Sequence, residues 1–164
     1  TDQRHLVLQG WHIILLNSQI PDRVEGALDL SQLQYLEHCL QMYPEHHAIV
    51  VFHHQPVPVG CAWLDNLGLK NASALWSMLA NFPKMHTILF GHVHQVHEGK
   101  KNNIAYYSAP STCIQFKRNS DNFGLEKLPP GFRWVDLYPE GRLETGVSRA
   151  SEYVGQFDEN AKGY

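Results

Sequence analysis

Apolar runs of strand length alternate along this chain with segments whose apolar residues recur every three or four positions. The stretch WHIILLN, from Trp11 to Asn17, is short, apolar and rich in β-formers, and it ends at polar turn residues, which predicts a buried strand. In DLSQLQYLEHCLQM, Leu33, Leu36 and Leu40 fall at helical spacing, and Ser31 with Gln34 matches a capping box. AIVVF, residues 48–52, is apolar throughout, as suits a strand in a sheet covered on both faces. NASALWSMLANF then offers Asn71 as a helix cap, with Leu75, Leu79 and Phe82 on one face. HTILF and IAYYS read as further strands, and FRWVDLY and RLETGVS as a hairpin closed by PEG.

The order is strand, helix, strand, helix, strand, then several more strands. That order predicts an α/β fold: a layered β-sandwich flanked by helices with a partly antiparallel end, formed by one domain over residues 1–150. Residues 151–164 are polar and read as a C-terminal tail. In open α/β sheets, ligands gather where parallel strands deliver their C-terminal ends. Two bursts of histidine lie there: FHHQP at 52–56 and FGHVH at 90–94.

Composition narrows the field. With 164 residues, 43% hydrophobic, the chain can bury a real core. A formal net charge of -3 gives no basic footprint for nucleic acid or anionic lipid, and no apolar run approaches the roughly 20 residues that span a bilayer. Neither nucleic-acid nor membrane partners are expected. Cys39, Cys61 and Cys113 are an odd number without framework spacing, and no signal segment opens the chain, which fits a reducing cytoplasm.

In an extended segment alternate side chains share a face, so HVH would aim His92 and His94 together, with Gly91 letting backbone pass close. Imidazole nitrogens suit Zn, Fe, Mn or Ni, and His53 adds a third from a neighbouring strand end. The chain has 11 histidines, so most need a plainer reading. His5, His12, His38, His46, His47, His86 and His97 are read as solvent-facing. A thiolate nucleophile at Cys61 or Cys113 is disfavoured because neither occupies a recognisable nucleophile turn. Trp63, Tyr106, Tyr107 and Phe116 are candidates for stacking on a base, although packing accounts for most of them. Asp65 is a candidate for orienting an imidazole, and Lys117 and Arg118 for meeting a phosphate or a neighbouring acid.

FHHQPVPVGCAWLDNLGLKNA, ILFGHVHQVHEG, YYSAPSTCIQF and PGFRWVDLYPEGRLETGV together resemble the calcineurin-like metallophosphoesterases, within them the bacterial cyclic-AMP phosphodiesterases. The resemblance runs from about Trp11 to Val147. It implies His53 and His92 as ligands of a second metal, His94 as a ligand of the first, and His54 as a catalytic residue near substrate. It also implies two divalent ions (Fe, Mn or Zn) and hydrolysis of 3',5'-cyclic AMP to 5'-AMP, with another small phosphoester as the alternative substrate. The family's D-x-H, G-D-x-x-D and G-N-H-[DE] motifs do not occur here. The chain therefore reads as the C-terminal part of such an enzyme, inactive alone and prone to self-association. A non-catalytic metal-binding or interaction module is the second reading.

Overall fold

The computed structural model describes residues 4–151. The expected tail at 151–164 lies outside the described residues apart from Ser151. The chain opens with β1 (His5–Leu8) and β2 (Trp11–Leu15), crosses through α1 (Leu30–Met42) to β3 (His47–Phe52), and continues through α2 (Ala62–Asp65) and α3 (Ala72–Leu79) to β4 (Met85–Phe90). There follow β5 (Glu98–Lys101), β6 (Ile104–Ser108), β7 (Gln115–Phe116), β8 (Leu125–Glu126), β9 (Gly131–Leu137) and β10 (Leu143–Arg149).

Six strands form one sheet in the order β1-β2-β3-β4-β6-β5. The four central strands run parallel, and an antiparallel neighbour closes each edge. This mixed sheet follows from the crossovers: a helical connection returns the chain to the same edge of the sheet, so β2, β3 and β4 must point the same way.

The two faces of the sheet differ. Ile14, Val50 and Ile88 align in register across three strands, and Leu36, Leu75, Trp76 and Leu79 cover them from the helices, all buried. On the other face, Leu15, Val51, Leu89 and Tyr107 align in register but are only half-buried. An apolar β3 suits a sheet covered on both faces, and a piece of a larger sandwich is expected to leave part of one face bare; among the described residues only the β9–β10 hairpin lies over the second. Trp11 Nε1 donates to the Tyr138 carbonyl at 2.7 Å, and Arg133 Nε donates to the Ser108 carbonyl at 2.7 Å, pinning the hairpin at two points. Gly10, at φ +76, comes so close to Pro139 that a Cβ would sit 2.6 Å from its carbonyl oxygen.

Two expected caps are made differently. Asp29, not Ser31, caps α1: its Oδ1 accepts the Gln32 N–H at 2.9 Å and the Ser31 hydroxyl at 2.6 Å. Two donors on one carboxylate outbid a serine two residues later, and they hold the Asp29 carboxyl below its ordinary pKa. Asn71 precedes α3, but its side chain reaches back to Leu28, accepting from its N–H at 3.0 Å and donating to its carbonyl at 2.6 Å. No described helix is long and apolar enough to cross a membrane.

Candidate metal centre

Because β3 and β4 are parallel neighbours, their C-terminal ends arrive side by side. His53 follows the last residue of β3, His92 lies two residues beyond β4, and the Gly91 N–H donates to the His53 carbonyl at 3.1 Å, joining the two loops. A ligand-capable atom from each of His53, His54 and His92 lies within 4.8 Å of the others. His92 Nδ1 and His53 Nε2 are 3.2 Å apart. His53 is exposed, whereas His54 and His92 are buried.

The H-x-H segment is not extended. His92 and His94 both take left-handed backbone conformations, at φ 62 and 48, and the Val93 N–H donates to the Gly91 carbonyl at 2.7 Å. The cause is Val93, fully buried in the core: anchoring it twists the tight turn on either side of it. His92 is thereby brought against His53 and His54, while His94 stacks on Phe116, with ring centroids 4.2 Å apart and planes 7° from parallel. His94 stands outside the three-histidine group.

Burial pushes the His92 imidazole down to about 3, with repulsion from His54, His53 and His94 adding to it, while the Leu67 backbone acts weakly in the opposite direction. His53, His54 and His94 are also lowered, each chiefly by burial. At neutral pH these rings are uncharged, the form that donates a lone pair to a metal. His92 Nε2 and His94 Nδ1 are buried without a hydrogen-bond partner. A buried nitrogen left unpaired is costly unless a ligand satisfies it. The donor set therefore fits a divalent transition metal, although among the described residues no carboxylate joins the group.

A cavity of about 480 Å³ opens beside the cluster, between these histidines and the loop that follows β2. That loop contributes Ser18, Arg23 and Val24, none of which was marked from sequence. The signal was available: LNSQIPDRVEG follows an apolar strand and is rich in turn residues, so a third strand end points to the same place. Other expected partners lie elsewhere. The Asp65 carboxylate accepts the Val59 N–H at 2.7 Å, and the imidazole it influences is His97. Arg118 meets Glu126 at 3.6 Å. Cys61 is buried and donates to the Lys117 carbonyl at 3.4 Å, a packing role.

No protein-family model matches the chain. It is 41% identical over 155 residues to the 3',5'-cyclic adenosine monophosphate phosphodiesterase CpdA of Pseudomonas aeruginosa, a match covering 94% of this chain and 57% of that one. It is 39% identical over 162 residues to CpdA of Escherichia coli K12, covering 99% and 59% respectively. The chain is thus similar to bacterial cyclic-nucleotide phosphodiesterases, and it spans somewhat over half the length of the two relatives described. Among solved structures, it resembles GAP50, the anchor in the inner membrane complex of Plasmodium, with a TM-score of 0.60 at 14% identity over 96% of this chain and 53% of that one. That likeness concerns the fold alone, an α/β layered arrangement.

Proposed function

We propose that this chain forms the histidine-rich part of a metal-dependent phosphodiesterase that hydrolyses 3',5'-cyclic AMP to 5'-AMP. The observation that carries the reading is the convergence of uncharged imidazoles at the C-terminal ends of adjacent parallel strands, beside an open cavity. His53, His92 and, from the turn beyond, His94 are the residues that would hold two divalent ions, with Fe, Mn or Zn as the candidates. When bound, such ions lower the pKa of a coordinated water and neutralise phosphate charge. The chain's own residues do the rest. His53 stands exposed at the cavity wall, and Arg23, two-thirds exposed, brings a cation to the same cavity for a phosphate oxygen.

The absence of a carboxylate from the histidine group among the described residues favours one alternative for this chain by itself, a module that captures a single metal without turnover. Three unpaired cysteines, two of them buried, support a cytoplasmic setting. The half-buried face of the sheet, with Phe132 and Trp134 exposed on the hairpin, supports self-association of the chain.

Hydrolysis of cyclic AMP with added Mn²⁺ or Fe²⁺ tests the proposal, measured for this chain and for a longer one carrying D-x-H, G-D-x-x-D and G-N-H-[DE] motifs upstream. Activity confined to the longer chain is the expected result. Turnover of other phosphoesters but not cyclic AMP would overturn the substrate, and metal-independent turnover by the short chain would overturn the chemistry.

A further inference from the structure

His54 differs from its two neighbours because protein atoms engage both of its ring nitrogens. Nε2 lies 3.0 Å from the Val24 carbonyl, and Nδ1 lies 2.8 Å from the Ser18 hydroxyl oxygen. A carbonyl can only accept, so Nε2 carries the proton; in a neutral ring Nδ1 is then bare and accepts from the hydroxyl. The His54 backbone N–H also donates to that hydroxyl oxygen, at 3.4 Å. Ser18 is 1% exposed and His54 5%, so water does not compete for these bonds.

Backbone packing tightens the arrangement. A Cβ on Gly26 would overlap the His54 ring and sit 2.7 Å from the Ser18 carbonyl oxygen. Gly26 is itself held in place, its N–H donating to Gly68 at 3.3 Å and its carbonyl accepting from Lys70 at 2.8 Å. The loop after β2 is thus fastened to the end of β3 through the imidazole, and His92 packs on that ring at 4.7 Å between centroids. No lone pair on His54 remains for a metal.

We propose that Ser18 and His54 are positioning residues: Ser18 fixes His54 as the Nε2–H tautomer, and His54 braces the loop and the His92 ring, leaving His53 and His92 as the metal-holding pair. The consequence for metal binding rests on the phosphoesterase reading; the tautomer does not. A neutral imidazole whose two nitrogens are both occupied by protein is a strut, and its substitution should weaken metal binding indirectly, as loss of an outer-shell partner does.

Nitrogen-15 spectra of the histidine rings in the metal-free chain test the first half. The expected result is a protonated Nε2 and a bare Nδ1 on His54, with Ser18→Ala shifting the ring toward the other tautomer. An Nδ1-protonated His54, or a tautomer indifferent to Ser18→Ala, would overturn the proposal. Zn²⁺ titration tests the second half. His54→Gln, whose amide can still donate to Val24, and Ser18→Ala should each cost about tenfold, the loss of an outer-shell partner, while His53→Ala abolishes binding. A Zn²⁺-induced shift at His54 Nδ1 typical of direct ligation would show His54 to be a ligand and end the strut assignment. If the wild-type chain binds no Zn²⁺, the metal reading and the positioning role built on it both fail, and the spectra still decide whether Ser18 sets the tautomer.

Discussion

The same sheet carries histidines at both ends, and among the described residues three of them converge at one end alone. At the C-terminal ends of β3 and β4, His53, His54 and His92 bring three ligand atoms within 4.8 Å. At the opposite end, His5 and His12 share a 3.0 Å hydrogen bond, and His12 stands 6.3 Å from His46 and 5.7 Å from Tyr43 between ring centroids. In other respects the two ends look alike. His12 is 1% exposed, burial pushes it down to about 4, and its Nε2 is buried without a partner, as is that of His92. Low pKa and burial are thus shared by a structural histidine and a ligand candidate; convergence of three imidazoles within 4.8 Å separates them.

The sharpest way to break that distinction is metal titration of one alanine variant at each end. His92→Ala should weaken Mn²⁺ or Zn²⁺ binding by more than about 100-fold, since it removes a ligand rather than an outer-shell partner, whereas His12→Ala should leave it within about twofold. Equal losses would mean that the far end binds metal or that neither end does so specifically. Comparable unfolding midpoints for the two variants would exclude global destabilisation as the cause.

A glycine presses on a histidine ring at each end, and this allows a second comparison. A Cβ at Gly26 would collide with His54, and one at Gly141, at φ +91, with His47. Each glycine-to-alanine change should cost roughly 1–3 kcal/mol of stability through overpacking, read as a lower denaturant midpoint. Only Gly26→Ala should also weaken metal binding. A metal defect in Gly141→Ala would show that the two ends are coupled through the sheet.

Much of this was legible beforehand. The apolar runs gave β2, β3, β4 and β6, and the rule that ligands collect at strand C-termini brought His53 and His92 to one place. The Ser18–His54 bond was not legible, because its partners lie 36 residues apart and meet only once β2 and β3 are paired in register. His12 sits in the apolar run of β2 and reads as a surface histidine until the β1 hairpin brings His5 beside it. The turn at His92–His94 escaped for a similar reason. Periodicity treats H-x-H as extended, and only the burial of Val93 reveals the left-handed turn.

The comparison also carries a pH dependence, and its sign follows from His12. The folded pKa, about 4, lies below the ordinary histidine value of 6.5, so between those limits the unfolded chain binds more protons than the folded one. Stability from the neutral buried ring is therefore complete above about pH 6.5 and is lost progressively as pH falls toward 4. Below 4 it declines no further on this account. The slope for a single group is at most about 1.4 kcal/mol per pH unit. The ring faces His5 and His46, whose repulsion is part of what lowers it, together with the Tyr43 ring. His12→Phe keeps the aromatic volume, removes the proton-binding site and frees the position of its unpaired Nε2. Thermal unfolding followed from pH 7 to pH 4 should accordingly show a flatter acid limb in His12→Phe than in the wild type. An unchanged limb would mean that His12 gains no proton on unfolding, and the far end of the sheet would then owe its low-pH behaviour to other groups.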